Sequence, residues 1–342
     1  MKAWVYQGAG QAALEQRPWP RIEQDTDVIV SVTRSTICTS DLHILHGAVP
    51  RAQPGVVLGH EFVGRVEELG RSVRGLHVGD RVAANCISFC GECWYCRHGF
   101  INNCQRGGWL LGCAQDGCQA EAVRVPYGQM GLTPIPEDVS DERALFVGDI
   151  LASGYFGAEL CAIQPGDTVA VIGAGPVGLC AMQCARLMGA GRVVAVDLRA
   201  ERLALARRLG LADETAPPER AREVVDGLSE GRGADGVIEA AGGAGSFELA
   251  WQVARANAVV ALVAMYEGDQ VLPLPRMYGK NLIFKTGGVD AVHSARLLSL
   301  IAAGRLNTDF LITHRGSLAR IEQGYRTFSD PAAACLKWVV TP

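Results

Sequence analysis

The sequence predicts an α/β protein of two domains, a β-rich and partly open barrel joined to a doubly wound parallel sheet. Three observations predict it. The chain has 342 residues, and at roughly 150 residues per domain that length supports two separate cores. Up to about residue 148 short apolar segments are broken by Gly-rich turns, whereas from about residue 152 strands alternate with helix-length stretches. The first pattern suits a small barrel and the second a series of βαβ units. A glycine-rich turn, set directly between a strand and a helix, marks the start of the second region.

Taken in order, Asp27–Val32 is a compact apolar strand, and Glu61–Leu69 alternates apolar with polar residues. Gly79-Asp80 turns into the strand Arg81–Ala84, and Ala120–Val125 is another strand. In the second region the β-branched run Thr168–Ile172 is a buried strand, followed by a helix over Pro176–Met188. Arg192–Val196 is the next strand, and Ala200–Leu209 a helix with arginines on one face. Strand Gly236–Ala240, helix Ser246–Arg255 and strands Ala258–Ala264 and Asn281–Lys285 complete the alternation. A helix over Ala291–Ala303 leads to a last strand at Lys337–Val340.

Composition narrows the function. Apolar residues make up 49% and charged residues 20%, as in an ordinary globular protein, which excludes general disorder. A net charge of −4 lacks the footprint of a phosphate-backbone binder, so no nucleic-acid partner is expected. The longest uncharged run, Thr168–Ala185, contains Gly173, Gly175, Pro176 and Gly178. These residues suit a strand turning into a helix, so no membrane span is expected. Met1–Gly10 carries no apolar signal segment, and a cytoplasmic location is expected.

Gly173-Ala174-Gly175-Pro176-Val177-Gly178 follows the strand TVAVI and opens a helix. A dinucleotide pyrophosphate needs backbone amides at a helix N-terminus with no side chains in the way, which glycines provide. Asp197 ends the next strand, where a carboxylate would accept hydrogen bonds from the adenosine ribose and repel a 2′-phosphate. That favours NAD over NADP. Arg199 tempers the preference, and an N-cap role for Asp197 is compatible with it.

Eight of the twelve cysteines lie between Cys38 and Cys118. Within that stretch, Cys90-x2-Cys93-x2-Cys96-x7-Cys104 has the spacing of a closed, tetrahedral and hence structural zinc site, the alternative being disulfides or free thiols. Cys86, Cys113 and Cys118 are assigned no ligand role, and Cys161, Cys180, Cys184 and Cys335 read as small core residues. A catalytic zinc needs three protein ligands and one open position. Cys38, His60 and one carboxylate would supply a thiolate, an imidazole and a hard oxygen.

Cys38-Thr39-Ser40-Asp41-Leu42-His43, Gly59-His60-Glu61, Gly75-Leu76-His77-Val78-Gly79-Asp80-Arg81-Val82, the cysteine lobe, Gly148-Asp149-Ile150-Leu151 and the glycine turn occur in a telling order. Nearly end to end, the chain resembles the zinc-containing medium-chain alcohol dehydrogenases, and in particular the bacterial secondary-alcohol branch. The resemblance implies a GroES-like catalytic domain over residues 1–151, a Rossmann domain over 152–288 and a closing segment over 289–342. It picks Asp149 as the third catalytic zinc ligand and Glu61 as a neighbouring carboxylate able to approach the metal. Asp41 matches a position that orients the histidine ligand. Ser40 and His43 match a relay that carries the alcohol proton outward. Arg202 and Lys337 match basic residues that contact the cofactor, and Trp109 and Leu110 resemble a substrate-pocket wall. His46 and His77 read as exposed or structural.

The chain departs from the usual Asp-Gly-Gly-x-Ala-Glu run at Asp116-Gly117-Cys118-Gln119-Ala120-Glu121. The activity implied is hydride transfer between NAD and a small or medium alcohol, ketone or aldehyde, with one catalytic and one structural zinc. A tetramer or dimer is implied. The alternatives are a glutathione-independent formaldehyde dehydrogenase of the same family and a non-enzymatic NAD-sensing zinc protein.

Overall fold

The computed structural model describes all 342 residues. Contacts divide the chain into two compact units, Met1–Ala152 with Asp290–Pro342, and Ser153–Val289.

The first unit begins with a hairpin of β1 (Lys2–Gly8) and β2 (Gln11–Gln16). Ala3 to Tyr6 are buried without a break, so the strand has none of the alternation that marks a half-exposed strand in sequence. Then come β3 (Val28–Thr36), the short helix α1 (Thr39–Leu45), β4 (Phe62–Leu69), β5 (Arg81–Ala84), β6 (Ala122–Val125) and β7 (Leu132–Pro134). The helix α2 (Ile150–Leu160) leads into the second unit.

That unit carries six strands: β8 (Thr168–Ile172), β9 (Arg192–Val196), β10 (Glu214–Ala216), β11 (Ala234–Glu239), β12 (Ala254–Leu262) and β13 (Ile283–Thr286). Its longer helices are α3 (Pro176–Leu187), α4 (Ala200–Arg208), α5 (Ala221–Leu228) and α6 (Ser246–Val253). All pairings are parallel and the spatial order is β10-β9-β8-β11-β12-β13. Renumbered from β8, this is the 3-2-1-4-5-6 order of the dinucleotide-binding doubly wound sheet. Every residue of β8 is buried, as expected for a central strand covered on both faces. The helix expected over Ser246–Arg255 ends two residues early. The Lys280 ammonium donates to Trp251 O at 2.8 Å and Gln252 O at 3.0 Å, satisfying carbonyls at the helix end, and β12 starts at Ala254.

The chain then returns to the first unit with α7 (Ser294–Ala302), β14 (Ile312–Ser317), α8 (Ile321–Ser329) and β15 (Lys337–Thr341). The large sheet there runs β14-β15-β3-β4-β5-β7, with β6 also paired to β3. Its pairs are antiparallel except β14 with β15. One core packs Val28, Val30, Phe62, Val66 and Val82, and a second packs Trp4, Ile37, Leu58, Tyr325 and Trp338. No helix is long and apolar enough to cross a membrane.

Candidate metal centres and cofactor turn

Cys38 sits at the entry to α1, and Asp41, one turn in, accepts the Cys38 backbone N–H at 2.9 Å on Oδ2. His60 and Glu61 immediately precede β4, and Asp149 immediately precedes α2. Three separate segments thus bring Cys38, His60, Glu61 and Asp149 together, with one ligand atom from each within 4.8 Å of the others. His60 Nε2 is 3.1 Å from Asp149 Oδ2, and Cys38 Sγ is 3.9 Å from the same oxygen. The Ser40 hydroxyl lies 3.2 Å from His60 Nε2. His43 stands one turn beyond Ser40 on α1 and is partly buried. Trp109 meets the His60 ring edge-on at 5.7 Å between centroids. His46 and His77 are exposed.

Charge in this cluster is strongly coupled. Burial opposes a charged His60, yet Asp149 and Asp41 outweigh it and hold the imidazole pKa above its usual value. Burial raises the Asp149 carboxyl, but His60 more than reverses that. Burial pushes Glu61 up to about 7 against the pull of Lys337.

Lys337 departs from the sequence expectation. Instead of standing ready for a cofactor phosphate, its side chain is 1% exposed, and its ammonium donates to Glu61 Oε1 and to Ile37 O. Burial alone would lower its pKa, but Cys38, Glu61 and Asp149 hold it above the ordinary lysine value. Sequence reasoning also passed over Gln119 and Tyr325. The Tyr325 hydroxyl donates to Gln119 Oε1 at 2.7 Å, and Gln119 Nε2 donates to Asp41 Oδ2 at 3.0 Å. The only signal of this was the irregular run around Gln119.

In the cysteine lobe the sulfurs of Cys90, Cys93, Cys96 and Cys104 all lie within 4.8 Å of one another, four of the six pairs at 3.5–4.0 Å. Four sulfurs at the Zn–S distance in a tetrahedron are about 3.8 Å apart, whereas a disulfide requires about 2.05 Å. Backbone N–H groups of Cys90, Cys93 and Arg106 point at these sulfurs at 3.3–3.4 Å. Backbone donors also draw the Cys93 thiol below its usual pKa, while burial and its sulfur neighbours push Cys96 above. The lobe therefore fits a closed divalent site. Cys86, Cys113 and Cys118 lie outside both ligand groups, and Cys118 Sγ donates to Glu61 O.

In the second unit, Gly173, Ala174 and Gly175 follow β8, and Pro176, Val177 and Gly178 form the first turn of α3. Gly173 has φ +96°, and a Cβ there would lie 3.0 Å from Ala240 and Ala241 atoms. A Cβ on Gly178 would lie 1.7 Å from Gly173 O, so the first turn of α3 approaches the backbone of the glycine turn too closely for any side chain. A Cβ on Gly175 would meet only Arg202 Nη1, at 3.7 Å, leaving the approach to the turn open. Asp197, buried at the end of β9, accepts the Ala174 N–H at 2.7 Å and the Arg199 N–H at 2.8 Å. Arg202 Nη1 stands 3.8 Å from Asp197. The turn, the aspartate and Arg202 are thus brought to one place, with the bare backbone a pyrophosphate requires.

Residues 24–137 match the model of the alcohol dehydrogenase GroES-like domain, and residues 176–292 match that of the zinc-binding dehydrogenases. The alcohol dehydrogenase of Cupriavidus necator is 36% identical over 100% of this chain and 99% of its own length. The NADP-dependent isopropanol dehydrogenase of Thermoanaerobacter brockii is 32% identical, covering 92% of each chain. Among solved structures, the alcohol dehydrogenase TADH of Thermus sp. ATN1 superposes with a TM-score of 0.92 at 36% identity, over 100% of this chain and 99% of that one. Identity of this order, sustained along essentially the whole of both chains, means that this protein belongs to the zinc-type, medium-chain alcohol dehydrogenase family of oxidoreductases.

Proposed function

We propose that the chain is an NAD-linked dehydrogenase that moves hydride between the cofactor and a small or medium alcohol, with secondary alcohols and their ketones the favoured class. The observation that carries this reading is the convergence of Cys38 Sγ, His60 Nε2 and Asp149 Oδ2, with the Ser40 hydroxyl at the same imidazole nitrogen. A thiolate, a neutral imidazole and a carboxylate make a three-ligand donor set for zinc with a position left for substrate. The charges agree. Cys38 and Asp149 would bring two negative charges to a divalent ion, while the charge of Glu61 is met by Lys337.

When bound, zinc supplies a Lewis acid that acidifies an alcohol hydroxyl, and the nicotinamide supplies the hydride acceptor. The rest falls to the protein. Asp41 and the cluster orient His60, Ser40 Oγ takes up the hydroxyl proton as it passes its own outward, and His43 is the next station on α1. Trp109 closes one side of the space over His60. The glycine turn, Asp197 and Arg202 hold the dinucleotide. Asp197 supports NAD, and Arg199 and Arg202 beside it support some tolerance of a 2′-phosphate. The four cysteines hold a second, structural zinc. A cytoplasmic, reducing setting suits these thiols. A homo-oligomer is supported by β13, an edge strand with Ile283 exposed, and by the exposed apolar side chains of Val271, Leu272, Leu274 and Tyr278 in the preceding segment.

Metal analysis and a substrate panel test the reading. The expected result is about two zinc per chain, and oxidation of secondary alcohols with NAD. Cys38→Ala is expected to retain one zinc and to lose activity by at least about a thousandfold. Hydride transfer persisting in that variant would overturn the catalytic-metal assignment. Bound zinc in the lobe alone, with no turnover of any alcohol or aldehyde, would instead favour a sensor.

A further inference from the structure

We propose that Gln119 and Tyr325 are positioning residues that hold the Asp41 carboxylate, and through it the His60 ring, in the orientation that presents Nε2 to a metal. The proposal rests on the catalytic-metal reading above. Asp41 is fully buried, and an ionised carboxylate only accepts hydrogen bonds. The side-chain amide facing Asp41 must therefore turn its NH2 group toward it, which leaves Gln119 Oε1 needing a donor on its other side. The Tyr325 hydroxyl is that donor, at 2.7 Å. With the Cys38 N–H and Gln119 Nε2 both on Oδ2, the remaining oxygen, Asp41 Oδ1, faces His60 Nδ1 at 3.5 Å. Neither of those two atoms has a hydrogen-bond partner. A proton on Nδ1 leaves the Nε2 lone pair facing Cys38 and Asp149, the tautomer a ligand requires.

The surroundings hold Gln119 as firmly as Gln119 holds Asp41. Its backbone N–H donates to Leu58 O at 2.9 Å and its carbonyl accepts the Trp4 N–H at 2.8 Å, so it lies beside the segment that carries His60. Gly59 adopts φ +94°, and a Cβ there would come within 2.6 Å of Gln119 Cγ. The glycine thus leaves the passage that the glutamine stem occupies. Tyr325 stacks on Trp4 with ring centroids 5.8 Å apart, which locates its hydroxyl. The order of support is α8, Gln119, α1, then the ligand.

The test uses Gln119→Met, which keeps the bulk of the stem but removes the amide, and Tyr325→Phe, which keeps the stacked ring and removes one oxygen. Full-length wild type and both variants are loaded with zinc, and release to an excess of chelator is followed metal by metal. The Cys38→Ala protein, holding the lobe metal alone, identifies which phase belongs to which site. The expected result is that Gln119→Met releases the catalytic metal about tenfold faster, and Tyr325→Phe a few-fold faster, while the lobe metal leaves at the wild-type rate. With Co2+ in place of zinc, the visible absorption of the catalytic ion is expected to shift in both variants. Unchanged release from both variants overturns the proposal. Equal acceleration at both sites also overturns it, because that is general loosening of the fold. Should Gln119→Met not fold, Tyr325→Phe decides alone. A wild-type protein binding metal only in the lobe would overturn the underlying reading as well, and the wild-type control alone reveals it.

Discussion

The Lys337–Glu61 pair shows what a single side chain can hold together. Both groups are essentially inaccessible, at 1% and 0%. Removing one partner of such a pair strands the other charge in a medium that solvates it poorly, at a cost of about 3–5 kcal/mol. Lys337→Met is therefore expected to lower the unfolding free energy of the metal-free protein by about that amount at alkaline pH, and by less near neutrality, where Glu61, already pushed up to about 7, takes up a proton. Lys337→Met combined with Glu61→Leu should recover most of it, as read from denaturant midpoints at matched slopes. A double variant as unstable as the single one would show that the charges are not coupled. At this scale the sequence is legible only where chemistry is local. The lobe cysteines sit within a short motif whose spacing speaks for itself, while Cys38 and Asp41 sit within one short motif that was read through family resemblance. Lys337 and Glu61 are 276 positions apart, and Tyr325 and Gln119 are 206 apart. Nothing in a run such as Leu336-Lys337-Trp338 tells an ammonium bound for a buried carboxylate from one bound for a phosphate.

Among the elements, β8, the glycine turn and α3 were readable almost residue for residue. A fully buried β-branched strand, backbone-only contacts and Pro at the first helical position all leave local marks. What the pattern did not convey is that Asp197 ties the turn as well as facing it, through the Ala174 N–H. Asp197→Gly thus has two effects. Loss of the tie should weaken binding of either dinucleotide, whereas loss of the carboxylate should favour NADP alone. The NADP to NAD ratio of kcat/KM isolates the second effect and is expected to rise by about tenfold or more, equivalent to about 1.4 kcal/mol. An unchanged ratio would remove Asp197 from ribose recognition. The hairpin of β1 and β2 was not readable, because Trp4 and Tyr6 are buried on one side and Ala3 and Val5 on the other. The early end of α6 was also hidden, since it depends on Lys280 reaching back from beyond β12.

For the whole molecule, the strand-and-helix periodicity carried the fold class, while the return of the C-terminal segment to the first unit came from family likeness, because no local pattern encodes it. The apolar stretch around β13 leads to an expectation at this level. If the proposed homo-oligomer forms through this edge, Ile283→Lys should give a smaller species than the wild type, measured as mass by light scattering, with the far-UV spectrum unchanged. An unaltered mass would place the subunit contact elsewhere. The discontinuous first unit has a further effect, one that concerns time. Residues 153–289 are synthesised in one run and hold all the strands of their own sheet. The first unit, by contrast, is unfinished until residues beyond 290 have been made. Until then β3 lacks its neighbour β15, Glu61 has no counter-charge and Gln119 has no tyrosine hydroxyl. The lobe cysteines span only residues 90–104 and can close on an ion at once. On the proposed two-metal reading, metal acquisition during biosynthesis would have a direction: the lobe could take its ion on a nascent chain, whereas the Cys38, His60 and Asp149 site gains its last supports only once the chain's final strand has docked.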